Sequence, residues 1–260
     1  MNKIEYIGLL DSGVGGLSVL KELKKLMPEK NYIFFGDTKN IPYGTKNADE
    51  IYGFTKNILN FFVSKNVKYV VIACNTTSAT VYDKLKNEFN QKLTIVPLIQ
   101  STAPYAAEGL EENDELAVFA TKATVNSHKY SEEIKKYNSK IKVREIDCSG
   151  FVEIVENRLY NDQNSIELIK EKLKIAQHAK RIVLGCTHYP YLVEIFKKYS
   201  NAQWFDPAKS VAKVAKDIIK NNAQGTKEEF FVSSNPSEFE KSAEFFYKVQ
   251  NTQLINLDLT

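Results

Sequence analysis

Cysteine is scarce in this 260-residue chain: three residues, an odd number, widely spaced and without a CxxC pair. That usage excludes a disulfide framework and the ligand spacing of a zinc site, and it fits reduced thiols in the cytoplasm. Long apolar runs are absent as well. No stretch approaches the roughly 20 apolar residues of a membrane span. The start, Met1–Leu10, is interrupted by Glu5 and flows into a glycine turn, so it lacks the apolar core and cleavage site of a signal peptide. Neither sign of charge dominates: 35 Lys and Arg against 32 Asp and Glu leave +3, spread as mixed pairs such as Lys21-Glu22. Neither a membrane nor a nucleic-acid partner is expected. The chain has no GxGxxG or Walker loop, no low-complexity segment and no short-period repeat. His128 and His178 sit among solvent-type residues, and no histidine has the further His or Cys neighbours of a metal site.

What is present is an α/β rhythm. With 43% hydrophobic residues the chain can fill two cores of the usual size. Ile7–Leu10 reads as a strand, Asp11–Gly16 as a glycine turn, and Leu17, Leu20, Leu23 and Met27 as the stripe of a helix stopped by Pro28. Strands follow at Tyr32–Phe35, Tyr69–Ala73 and Leu93–Ile99, with helices at Ala48–Ser64 and Ser78–Phe89 between them. The pattern then restarts: helices at Ala103–Leu110, Ser127–Tyr137, Val152–Leu159 and Ser165–Ala179, strands at Leu116–Ala120, Lys142–Ile146 and Ile182–Leu184, and helical pattern again at Tyr191–Tyr199. Alternation of this kind calls for parallel sheets with right-handed crossovers. A last group, a helix at Val211–Asn221, a strand at Glu229–Val232, a helix at Glu238–Lys248 and the apolar end Leu254–Leu257, is too short for a third domain. It is expected to return to the first half, giving one domain of residues 1–98 plus 207–260 and a second of residues 99–206.

Two strands end alike. Ile182-Val-Leu-Gly runs into Cys186-Thr-His188, and Tyr69-Val-Val-Ile-Ala runs into Cys74-Asn-Thr-Thr-Ser78. In an α/β protein such junctions are where ligands bind. A lone cysteine at a strand end is usually packing. Two of them, each followed by a row of polar side chains, require another reason. A thiolate is both nucleophile and base but ionises near neutrality only with help. His188 lies two positions from Cys186, and Asp11 ends a strand that can neighbour the Cys74 strand, so each thiol has a proton-handling companion. Cys148 has none and reads as structural. The Asp11–Gly16 turn, opening a helix, suits a small carboxylate as well as a phosphate.

Taken together, Asp11-Ser-Gly-Val-Gly-Gly-Leu-Ser-Val-Leu20, Gly36-Asp-Thr38, Pro42-Tyr-Gly44, Ala73-Cys-Asn-Thr76, Ala120-Thr-Lys-Ala-Thr124 and Gly185-Cys-Thr-His-Tyr-Pro190 follow one another in a known order. The chain resembles, nearly end to end, the bacterial glutamate racemases of the cofactor-independent Asp/Glu racemase superfamily, and Pro42-Tyr-Gly44 favours the glutamate branch. The resemblance implies two flavodoxin-like, three-layer α/β domains with the active site in the cleft between them, no pyridoxal phosphate or metal, and a homodimer. It further implies that Cys74, assisted by Asp11, deprotonates D-glutamate and Cys186, assisted by His188, deprotonates L-glutamate. Ser12, Tyr43, Gly44, Asn75, Thr76, Thr121, Thr124 and Thr187 would hold the carboxylates and the ammonium. The product would be D-glutamate for peptidoglycan.

The chain departs from the family pattern at Pro97-Leu-Ile-Gln-Ser101, at Ser149-Gly150 after Cys148, and at Glu153, where proline is usual, while Glu156 is kept. These positions bear on the cleft wall, substrate choice or a subunit interface. An aspartate or broad-specificity racemase is the neighbouring alternative. A catalytically idle amino-acid-binding module is the alternative of another class, and it would have no need of two acid–base thiols.

Overall fold

The computed structural model describes residues 4–220 and 224–257. In chain order, β1 (Tyr6–Asp11), α1 (Leu17–Leu26), β2 (Asn31–Gly36), α2 (Ala48–Ser64), β3 (Tyr69–Ile72), α3 (Asn75–Thr80), α4 (Tyr82–Phe89) and β4 (Thr94–Pro97) form the first run. Next come α5 (Leu98–Ala107), β5 (Glu115–Ala120), α6 (Lys122–Ser127), α7 (Lys129–Tyr137), β6 (Lys142–Asp147), α8 (Gly150–Glu156), α9 (Gln163–Ile175) and β7 (Ala179–Gly185). The chain continues through α10 (Val193–Phe196), β8 (Gln203–Phe205), α11 (Pro207–Ile218), β9 (Glu228–Val232), α12 (Pro236–Ala243) and β10 (Gln253–Leu254).

Two sheets result, one in the order β10-β9-β2-β1-β3-β4 and one in the order β6-β5-β7-β8, and all their pairings are parallel. Successive residues of a strand point to opposite faces, and in the first sheet both faces are apolar. Leu9, Phe34 and Val71 join one core with α1, α11 and the second sheet, while Leu10, Phe35 and Ile72 join another with α2 and α4. Burial on both sides is what a parallel sheet with helices on each face demands.

Both sheets reverse strand order at an equivalent place. From β1 the chain goes first to β2 on one side and then to β3 on the other; from β5 it goes to β6 and then to β7. Such reversals leave a crevice at the carboxyl ends of the two central strands. Asp11 and Cys74 stand at the first, Thr121 and Cys186 at the second.

Several element boundaries differ from the sequence expectations. Helix α3 begins at Asn75 because Cys74 caps it, its sulfur accepting the Thr77 N–H at 3.5 Å. β4 stops at Pro97, whose φ of −82° and ψ of 145° suit the residue before a helix, so Leu98 and Ile99 are helical. Ala179 opens β7 instead of closing α9, and the short strand β8 was not foreseen. The expected helix at Tyr191–Tyr199 is a 3-10 turn at Tyr189–Leu192 followed by the single turn of α10. Helix α11 starts four residues early, at Pro207, and ends at Ile218; the expected end at Asn221 lies outside the described residues.

Candidate active site

The first half of the site hangs on β1 and β3. Their pairing sets Leu10 against Ile72, and Ala73 N–H continues the ladder to the Leu10 carbonyl, so Asp11 and Cys74 emerge side by side. Asp11 is buried, with Gly13 N–H donating to its Oδ2 at 3.1 Å and Oδ1 left without a hydrogen bond. Burial raises its carboxyl above the ordinary range, against the opposing pull of His188 and of the backbone N–H groups of Gly13, Gly16 and Ser12. Cys74 is 5% exposed and lies 3.9 Å from Ser12 Oγ. Burial, reinforced by the Asp11 charge, pushes its thiol up to about 11.

The second half hangs on β5 and β7. Cys186 Sγ is 3.8 Å from His188 Nδ1, and on the other side of the ring Nε2 stands 3.2 Å from Glu156 Oε1, an ion-pair contact without hydrogen-bond alignment. Burial of the imidazole works against protonation, but Cys186 and Glu156 outweigh it and raise His188 to about 10. The shift favours a protonated ring beside the Cys186 sulfur. Phe246 packs edge-on to this ring, with centroids 5.9 Å apart.

The two halves meet over these groups. Thr76 Oγ1 lies 3.0 Å from Thr121 Oγ1, which lies 3.1 Å from Thr124 Oγ1, and Thr124 closes the triangle to Thr76 at 3.3 Å. Gly15, in the turn after β1, approaches so near that a Cβ there would stand 2.9 Å from His188 Nδ1 and overlap Thr187 Oγ1. A Cβ on Gly44 would meet Thr121 Cβ at 2.8 Å. The hydroxyl of Tyr43, the residue before Gly44, donates to buried Asp37 Oδ2 at 2.5 Å. Ser12 is half-buried, while Asn75, Thr76, Thr121, Thr124 and Thr187 are buried.

All twelve residues singled out in the sequence thus lie at the two facing crevices or in the loops that close on them. Cys148 is buried, and its carbonyl accepts from the Tyr189 hydroxyl at 2.8 Å. His128 and His178 are exposed. Of the departures, Glu153 points outward, Ser149 Oγ donates to Asp147 at 2.6 Å, and Gln100 Oε1 accepts from Ser78 Oγ at 3.2 Å. Sequence reasoning gave no role to Asp37, which lies beside Tyr43 in its own loop, or to Glu156 and Tyr130, whose partners His188 and Asn75 are far away in the chain.

Among the described residues, no group of His, Cys, Asp and Glu could hold a metal ion, and no helix is long and apolar enough to cross a membrane. A wide cavity of about 1340 Å3 opens elsewhere, at the strand starts around Asn31, Lys68 and Thr94. Its lining is mostly amides and lysines, without a cysteine or a histidine, so the site is placed at the strand ends, where the two thiols, a carboxyl group and an imidazole converge.

The sequence profile of the Asp/Glu/Hydantoin racemase family matches residues 7–215. Glutamate racemase 2 of Caldanaerobacter subterraneus subsp. tengcongensis is 39% identical over 249 residues, covering 92% of this chain and 91% of that protein. The glutamate racemase of Fusobacterium nucleatum is 36% identical over 252 residues, 94% of each. The crystal structure of Francisella tularensis glutamate racemase in complex with D-glutamate superposes with a TM-score of 0.90 at 29% identity, covering 100% of both chains. Two parallel sheets with matched crevices, a thiol at each, and likeness along the whole chain lead to one conclusion: the chain belongs to the Asp/Glu/Hydantoin racemase family.

Proposed function

We infer that the chain is a glutamate racemase, interconverting L- and D-glutamate by proton transfer at the α-carbon. The observation that carries this is the pair of cysteines at equivalent switch points of two facing sheets, in a chain 39% identical to a glutamate racemase over 92% of its length. Inversion at carbon requires a base on one face and an acid on the other, and two thiols can exchange these roles when the direction reverses.

In this reading Cys74 takes the α-proton of D-glutamate with Asp11 beside it, and Cys186 takes that of L-glutamate with His188 beside it. Ser12, Gly44, Asn75, Thr76, Thr121, Thr124 and Thr187, with Tyr43 behind Gly44, hold the substrate's carboxylates and ammonium. The developing carbanion is stabilised by these fixed donors in a cleft closed to water. Residues 1–98 with 207–260 act as one domain and residues 99–206 as the other, each bringing one thiol. The enzyme works as a homodimer in the cytoplasm and supplies D-glutamate for peptidoglycan. Its three cysteines, all unpaired, accord with a reducing compartment.

The test is proton NMR in D2O, without added cofactor, of the protein with L-glutamate, D-glutamate and L-aspartate in parallel. Loss of the α-proton signal together with appearance of the opposite enantiomer, much faster for glutamate, is the expected result. Faster exchange of aspartate would move the assignment to the aspartate branch, and no exchange with any of them would overturn it.

A further inference from the structure

Next to Cys74, the two halves are joined by a hydrogen bond from a residue that the reading above leaves without a role. Tyr130, on the first turn of α7, is wholly buried, and its hydroxyl donates to Asn75 Oδ1 at 2.6 Å. Asn75 follows Cys74 directly and is 4% exposed. A primary amide offers an acceptor oxygen and two N–H donors. The oxygen is taken by a hydroxyl that makes no other hydrogen bond among the described residues. The amide nitrogen has no protein partner among them either, yet it is not sealed off as a buried orphan. What Asn75 has to offer at the site is therefore a fixed pair of N–H donors.

The helix carrying Tyr130 is held to the first half at a second point. Lys129 Nζ, only 12% exposed at its side chain, sits 3.0 Å from Asp83 Oδ2 on α4 and 3.1 Å from Glu133 Oε1 of its own helix. Just before it, His128 turns the backbone through the left-handed region at φ 53°, so that α6, bearing Thr124, and α7, bearing Tyr130, leave in different directions. One short segment of the second half thus brings a hydroxyl to Thr76 and another to Asn75.

We propose that Tyr130 is a positioning residue for the racemisation: by holding Asn75 Oδ1 it turns the amide N–H groups to the cleft as donors to a substrate carboxylate, and it does so only while the two halves are closed. The proposal rests on the racemase reading. Removing the hydroxyl leaves the amide free to rotate and present an oxygen to an anion, which weakens binding without touching the thiols.

The experiment is Tyr130→Phe, which keeps the ring, compared with wild type by calorimetry using racemic glutamate, whose composition turnover does not change. The expected result is a Kd raised about tenfold, the worth of one hydrogen bond to a charged group. KM should rise equally for both enantiomers while kcat and thermal stability stay near wild type. In an Asn75→Ala background the Tyr130→Phe change should add nothing further. An unchanged Kd overturns the proposal, as does a parallel loss of kcat and thermal stability, the mark of a merely structural tyrosine. Should wild type bind racemic glutamate without racemising it, the racemase reading fails while the Kd comparison still decides the role of Tyr130. Should wild type not bind glutamate, both fall.

Discussion

Cys186 Sγ stands 3.8 Å from an imidazole nitrogen of His188, whereas the nearest hydrogen-bonding groups to Cys74 Sγ are the Ser12 hydroxyl at 3.9 Å and the Thr77 N–H at 3.5 Å. The two thiols are equivalent in topology and unequal in electrostatics. One lies beside an imidazole that holds its proton tightly, the other beside a buried carboxyl group. If each thiol handles the proton on its own face, neither can stand in for the other. Cys74→Ser and Cys186→Ser should each lower racemisation by roughly a hundredfold to ten-thousandfold, with secondary structure retained. Cys148→Ser should leave activity near wild type, because that thiol has only packing to lose. Circular dichroism of the enantiomers over time measures all three.

His188 and Cys74 also make stability depend on pH in one direction. The ordinary value for His188 is 6.5 and the folded value about 10. The folded chain therefore holds this proton more tightly, and the stabilisation is complete below about 6.5 and lost as pH rises through about 10. Cys74 rises from 9.0 to about 11, so its contribution is lost between those values. Denaturant unfolding should show stability falling from neutrality upward and fastest where the two windows overlap. The slope for His188 is at most about 1.4 kcal/mol per pH unit, less because Glu156 stands partly in water. His188→Asn should remove the decline between 6.5 and 9 and keep the part above it.

Asp11 is a buried carboxyl group that opposes stability. Its carboxylate is 1% exposed, one oxygen has no hydrogen bond, and burial raises its pKa. Asp11→Asn keeps the shape and removes the group whose ionisation burial disfavours, and should stabilise the fold at neutral pH. Activity should drop roughly tenfold to a hundredfold through loss of help to Cys74. Because the enantiomers are equal in energy, kcat/KM must fall by the same factor in both directions. The asymmetry appears in kcat alone, lower with D-glutamate as substrate, with KM compensating. Calorimetric melting and progress curves from each enantiomer check both halves of this expectation.

Most of the site was legible because it is written at strand ends. Apolar runs stopping at Asp11, Cys74, Thr121 and Cys186 mark four central strands, and the alternation of strand and helix makes the sheets parallel, which is enough to gather those ends into crevices. What pattern could not supply were relations across the cleft. Tyr130 reads as one more apolar-stripe residue with Ile134, since nothing local shows that its hydroxyl meets Asn75, 55 positions earlier. Glu156 lies on a helix whose sequence gives no hint of His188. Boundaries slipped where a side chain or a proline decided them, as at the Cys74 cap and at Pro97. β8 escaped notice because three residues carry too little period to register.

The two halves approach tightly at a residue without a side chain. Gly15 leaves no room for a Cβ, which would overlap Thr187 Oγ1 and come within 2.9 Å of His188 Nδ1. Its backbone does not occupy the left-handed region, so the requirement for glycine is one of space alone. Gly15→Ala should therefore hold the halves apart by the width of a methyl group, displacing His188 from Cys186 and Thr187 from its place beside the turn. Overpacking of this kind costs about 1–3 kcal/mol, and a misplacement of about 1 Å in the reacting geometry can cost a hundredfold in rate. Gly53→Ala is the matched control: it lies inside α2 with nothing within 4 Å of its added Cβ. That change should leave activity intact and stabilise the helix by roughly 0.5–1 kcal/mol. If Gly15→Ala proved as harmless as Gly53→Ala, the tight contact between the turn after β1 and the Thr187-His188 pair would not be part of the working enzyme.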